Sequence, residues 1–115
     1  MTPDWDCVCR ELLLLASRKD CRQTDWSASI PCDWAPSTVW DPRFDREFTE
    51  QGAWLYVIEL LESGHEFTPK TMRQPPNTIA YETIIELRPS LPKLYIKLQI
   101  HKGKILGRSF HNVTK

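Results

Sequence analysis

Residues Leu94 to His101 alternate without exception, with Leu94, Ile96, Leu98 and Ile100 on one side and Tyr95, Lys97, Gln99 and His101 on the other. Only an extended chain with a period of two gathers those aliphatic groups on one face. Lys102-Gly103 follows as a two-residue turn in which glycine supplies positive φ, and Lys104 to His111 returns. The end of the chain is therefore predicted to be an antiparallel hairpin with one apolar face. That face has to be covered by other elements.

Two helices are predicted to cover it. Pro3 to Arg18 repeats Trp5, Val8, Cys9, Leu12 and Ala16 at helical spacing, with Asp4 as N-cap. Thr49 caps a second helix, Glu50 to Ser63, in which Trp54, Val57, Ile58 and Leu61 share a face and Gly64 is the left-handed stop. Ala80 to Leu87 is rich in β-formers and reads as a further strand. The expected class is α+β: two main helices packed on a three- to four-stranded antiparallel sheet. Residues 1–115 are expected to form a single domain, with an acidic, Trp-rich part at 1–48 and a helix plus basic β-meander at 49–115. Between them, Lys19 to Phe48 mixes Trp26, Trp34, Trp40, Phe44 and Phe48 with Pro31, Pro36 and Pro42. Proline forbids a long helix there. A short strand near Ser37–Trp40 and aromatic packing over the core are expected. As an exposed arm, Trp26, Trp34 and Trp40 would instead anchor a partner protein.

The formal net charge is zero, yet it is divided unevenly. Residues 1–66 hold 13 acidic and 6 basic side chains, a balance of −7; residues 67–115 hold 2 acidic and 9 basic, a balance of +7. Either the basic half meets an anionic partner, usually nucleic acid, or the two halves pair with each other inside the fold.

Aligning the hairpin on its turn sets His101 opposite Lys104, Gln99 opposite Leu106, Lys97 opposite Arg108 and Tyr95 opposite Phe110. One exposed face then carries Tyr95, Lys97, Gln99, His101, Lys104 and Arg108. Like charges directly opposite each other destabilise a sheet, so Lys97 facing Arg108 calls for a carboxylate from Glu82 or Glu86, or for a bound anion. A phosphate-binding face is one reading, with Lys97, Arg108, Lys104 and Gln99 as contacts and an aromatic for stacking. RNA cleavage by the ribose 2′-OH needs only a proton acceptor, a cation and a proton donor, and His, Lys, Arg and Tyr supply these without metal. Arg108, as an exposed position, is expected to tolerate truncation.

Other chemistries find no support. The chain has four glycines and no phosphate loop, no nucleophile elbow and no H-E-x-x-H. Cys7, Cys9, Cys21 and Cys32 lack zinc spacing, and His65, His101 and His111 lie far from them. Neither a metal nor a cofactor is expected, and the thiols are expected to be free in a reducing compartment. The longest apolar run, Leu12 to Ala16, is far short of the ~20 residues of a membrane helix, and Asp4, Asp6 and Glu11 are wrong for a signal peptide. The expected location is the cytoplasm.

From residue 48 to 112 the chain resembles the motility quorum-sensing regulator (MqsR) family of toxins, mRNA interferases with a RelE-like fold. The resemblance rests on Val57-Ile58 to Leu61-Glu62-Ser63, Phe67, Lys70-Thr71-Met72, Arg88-Pro89, Leu94-Tyr95-Ile96-Lys97-Leu98 and Ser109-Phe110-His111. It implies a metal-independent endoribonuclease of a toxin–antitoxin pair, with RNA as substrate and a cognate antitoxin as partner. Lys70 and Tyr95 take functional roles in it, and His111 stands where the family has a catalytic lysine. His101 is a second candidate acid or base. The family's catalytic glutamine falls near Ile84, where this chain has none, and residues 1–48 do not match. A non-catalytic protein-binding module using the Trp-rich arm is the alternative.

Overall fold

A computed structural model describes residues 4–113. Helix α1 spans Trp5–Ala16; its predicted start at Pro3 lies outside the described residues. Asp4 has an extended N-cap backbone, but its side chain makes no capping bond. Helix α2 spans Glu50–Glu62. The Thr49 hydroxyl accepts the Gly52 N–H at 2.8 Å, satisfying one of the otherwise orphaned first-turn donors. Gly64 at φ +81° closes the helix, as a residue without Cβ can at little cost.

Ten further segments complete the chain as described. Short strands β1 (Arg22–Gln23), β2 (Asp33–Trp34), β3 (Trp40–Asp41) and β4 (Arg46–Glu47) and two 3-10 turns occupy the region between the helices. The strand expected near Ser37–Trp40 is displaced: Pro36–Thr38 is a 3-10 turn, and Trp40 opens the two-stranded ribbon of β3 and β4. After α2 come β5 (Thr68–Met72), β6 (Thr78–Ile85), β7 (Leu94–His101) and β8 (Lys104–Asn112). The class is α+β. The sheet is larger than expected, because β1 and β2 both add in parallel to the outer edge of the antiparallel array β8-β7-β6-β5. Two-residue strands carry no periodicity, so neither was legible in advance.

Both helices lie on one sheet face. Leu12 and Val8 from α1 and Trp54, Val57 and Leu61 from α2 bury with Leu94, Ile96, Leu98, Ile105 and Phe110. Trp5 stacks on Phe67 at 5.7 Å. The hairpin turn has both Lys102 and Gly103 at positive φ, the twist that suits a two-residue connection.

The pairing of β7 with β8 departs from the simple alignment. A bulge between Lys97 and Leu98 shifts the register. Gln99 still faces Leu106 and His101 faces Lys104, but Lys97 faces Ser109 and Tyr95 faces His111. Lys97 is thus not opposite Arg108, and Tyr95 is not opposite Phe110. A bulge places two residues against one and reverses the phase of every side chain beyond it. Phe110 therefore turns into the core, and His111 turns to the face away from the helices.

Gly107 sits at this irregularity beneath a tryptophan. A Cβ there would lie 2.6 Å from Trp34 Cε3. Trp34 cannot retreat, since it stacks on Trp54 at 4.7 Å and leans on Phe110 at 5.1 Å. Gly107→Ala is expected to cost about 1–3 kcal/mol, the usual range for overpacking. A urea midpoint unchanged from wild type would show that Trp34 is not fixed as described.

Candidate functional site

The sheet face away from the helices carries a groove of about 1010 Å³. Its floor is Lys97 of β7 with Arg108 and Ser109 of β8. One wall is the segment that leaves the sheet edge between β1 and β2, contributing Trp26, Pro31, Cys32 and Asp33. The other is the end of β5 and the turn after it, from Lys70 to Gln74. Four cations and one carboxylate line it: Lys70, Arg73, Lys97 and Arg108 against Asp33.

Arg108 builds this groove. The expectation of an exposed, dispensable phosphate contact is corrected: Arg108 is 3% exposed. Its Nε donates to the Pro31 carbonyl at 2.9 Å and its Nη2 to the Gln74 carbonyl at 2.8 Å. Its Nη1 donates to the Gln99 side-chain oxygen. One guanidinium therefore clips both walls to the floor, a use of its fixed fork of donors that a lysine could not reproduce. Gln99, 1% exposed, is a buried acceptor for Arg108 and not an RNA contact.

Lys97 is the half-buried cation of the floor. Burial lowers its pKa first, and neighbouring Lys70 and Arg108 lower it further, against the opposing pull of Glu82. A bound anion would offset the repulsion from Lys70 and Arg108. Its ammonium also lies 5.8 Å from the Tyr95 ring centroid. Lys70 reaches Glu82 at 3.6 Å.

Tyr95 and His111 stand side by side, ring centroids 5.4 Å apart. The Tyr95 hydroxyl donates to Glu82 at 2.5 Å. Burial first, then that carboxylate, push its pKa well above the ordinary phenol value, so it serves as a donor and not as a base. His111 Nδ1 faces the Asn112 carbonyl at 2.9 Å, and Nε2 lies 3.4 Å from the Asp33 carboxylate. Both ring nitrogens meet oxygens. Burial pushes the Cys32 thiol up, against the pull of Arg108 and Lys97.

Other expected site residues are elsewhere. His101 is four residues along β7 from Lys97, about 13 Å at the rise of a strand. Lys104 pairs with it there, its ammonium near the Asp20 carbonyl at 3.5 Å. Neither belongs to the groove. The three tryptophans do not form one arm: Trp34 packs against the core, Trp40 lies on the β3–β4 ribbon, and Trp26 stands in the groove wall. Arg73, Asp33 and Glu82 join the cluster without having been singled out as site residues. The +7 balance pointed toward Arg73 and the possible counter-charge toward Glu82, while no sequence signal pointed toward Asp33. No group of His, Cys, Asp and Glu among the described residues could hold a metal ion, and no described helix is long and apolar enough to cross a membrane.

Comparison with protein-family models, with curated proteins and with solved structures finds no match to the chain.

Proposed function

We propose that this groove binds RNA through its phosphates and cleaves it without metal, as a toxin of a toxin–antitoxin pair acting in the cytoplasm. The observation that carries the reading is the concentration of cations in one groove without a matching set of carboxylates. Among the described residues, only one ion pair joins the acidic half to the basic half, His111 with Asp33. The others stay within their own halves: Arg43 with Asp41 and Glu59, and Lys70 with Glu82. The two halves do not neutralise each other, and an anionic ligand is what the groove is charged to receive.

The resemblance to the motility quorum-sensing regulator toxins adds support, since Lys70, Tyr95 and His111, which it singles out, share this sheet face. A RelE-like arrangement and a cognate antitoxin belong to the same proposal. In the reaction, the ribose 2′-oxygen attacks the adjacent phosphorus and the bond to the 5′-oxygen breaks, leaving a 2′,3′-cyclic phosphate and a 5′-hydroxyl. Asp33 takes the 2′-hydroxyl proton, Lys97 stabilises the charge on the phosphoryl oxygens, and His111 gives a proton to the leaving 5′-oxygen. Tyr95, held on Glu82, positions His111.

Purified protein incubated with mixed RNA in EDTA should yield fragments ending in cyclic phosphate. Lys97→Met should weaken RNA binding about tenfold and reduce the slope of log affinity against log salt by about 0.7, the value of one phosphate contact on a single strand. Wild-type protein that neither binds nor cuts RNA at low salt would end the reading.

A further inference from the structure

The geometry points to Trp26 as a stacking platform that restricts the groove to unpaired nucleotides. This rests on the nucleic-acid reading of the groove and names the substrate class within it.

Trp26 is 67% exposed, the highest of the exposed large apolar side chains. Three other tryptophans have aromatic partners: Trp5 stacks on Phe67, and Trp34 and Trp54 stack on each other. Among the described residues the Trp26 ring has neither an aromatic nor a cationic partner. Leaving an indole in water forgoes the burial free energy of a large apolar surface. A tight turn fixes the backbone that follows it: the Ile30 N–H donates to the Ser27 hydroxyl at 3.0 Å, and the Ser27 N–H donates to the Ile30 carbonyl at 3.2 Å. The turn is tied to the floor through the Pro31 carbonyl and Arg108. The ring thus lines the groove whose opposite wall carries Lys70 and Arg73.

An aromatic face on one side and phosphate-binding cations on the other match one nucleotide unit: base on the ring, phosphate on the floor and far wall. Stacking is tolerant of sequence, because every base offers a π face. A duplex hides those faces in its own stack and offers the ring nothing. An acidic peptide would satisfy the cations but has no planar group required at this spacing.

The experiment compares three 5′-labelled probes at one salt concentration: a single-stranded oligonucleotide with non-cleavable 2′-O-methyl riboses, the same strand with abasic sites, and its duplex. Wild-type protein is expected to bind the single strand about 5- to 150-fold more tightly than the abasic strand, the worth of one stacked base. Trp26→Ala should lose that same factor on the single strand and nothing on the abasic strand. Trp26→Phe should recover most of it. Exposure of Trp26 makes all three proteins comparable in fold, which far-ultraviolet circular dichroism checks. Equal binding of base-bearing and abasic strands, or duplex bound as tightly as single strand, would overturn the platform while leaving phosphate binding intact. Loss of all three probes by wild-type protein would overturn the nucleic-acid reading, and the platform with it.

Discussion

Under the ribonuclease reading, His111→Ala slows cleavage by about 10²–10⁴-fold, the ordinary contribution of a positioned acid or base, while RNA affinity stays within about threefold. The separation follows from where the charges lie. Lys97, Lys70 and Arg73 line the groove and His111 does not appear in its walls; it flanks the floor beside Tyr95, held by Asp33 and the Asn112 carbonyl. Removing the imidazole deletes a proton donor without deleting a phosphate contact. Single-turnover rates and filter-binding affinities on the same RNA measure the two effects independently. Equal losses in both would make His111 a binding residue. An unchanged rate would remove it from the chemistry and leave a groove that holds RNA without cutting it.

Arg108→Met is expected to destabilise the fold by about 3–5 kcal/mol, although methionine fills much of the same volume. The change strands three acceptors at once: the Pro31 and Gln74 carbonyls and the Gln99 side-chain oxygen. Each buried acceptor left unpaired costs ~1–3 kcal/mol, and partial hydration of the two carbonyls as the walls loosen limits the total. For a chain of this size the melting temperature should fall by roughly 10–20 °C. Arg108→Lys should recover little, since a single ammonium cannot span three directions. Calorimetry on the two variants checks both statements, and a loss under ~1 kcal/mol for Arg108→Met would mean that the walls are not held as described.

These outcomes bear on what could be read from residues alone. The α2 boundaries and the β7 alternation were legible because each repeats one rule over many residues, and the bound faces agree with it: Trp54, Val57 and Leu61 inside, and Leu94, Ile96 and Leu98 inside. The role of Arg108 was not legible. Its partners are 77, 34 and 9 residues away, and two of them are backbone carbonyls that any sequence would supply. The bulge was hidden for a related reason. Gly107 reads as a weak strand residue, and only the tryptophan above it makes the missing side chain a requirement. β5 was missed because Pro69 and its mostly exposed side chains show no alternation of burial.

The bulge also makes β8 far more sensitive to its length than to its letters. Substituting one residue in Lys104–Asn112 alters one side chain, but inserting one between Leu106 and Ser109 would turn everything after it to the opposite face of the sheet. Phe110 would leave the core as His111 entered it, and the guanidinium at 108 would lose its aim at Pro31 and Gln74. Descendants of this chain can therefore drift through point changes at the exposed positions of the strand, whereas single-codon gains there should be strongly selected against. A single-residue insertion scan across residues 104–112, read by soluble yield, should show a broad loss where a substitution scan shows sharp losses only at Gly107, Arg108 and the core positions.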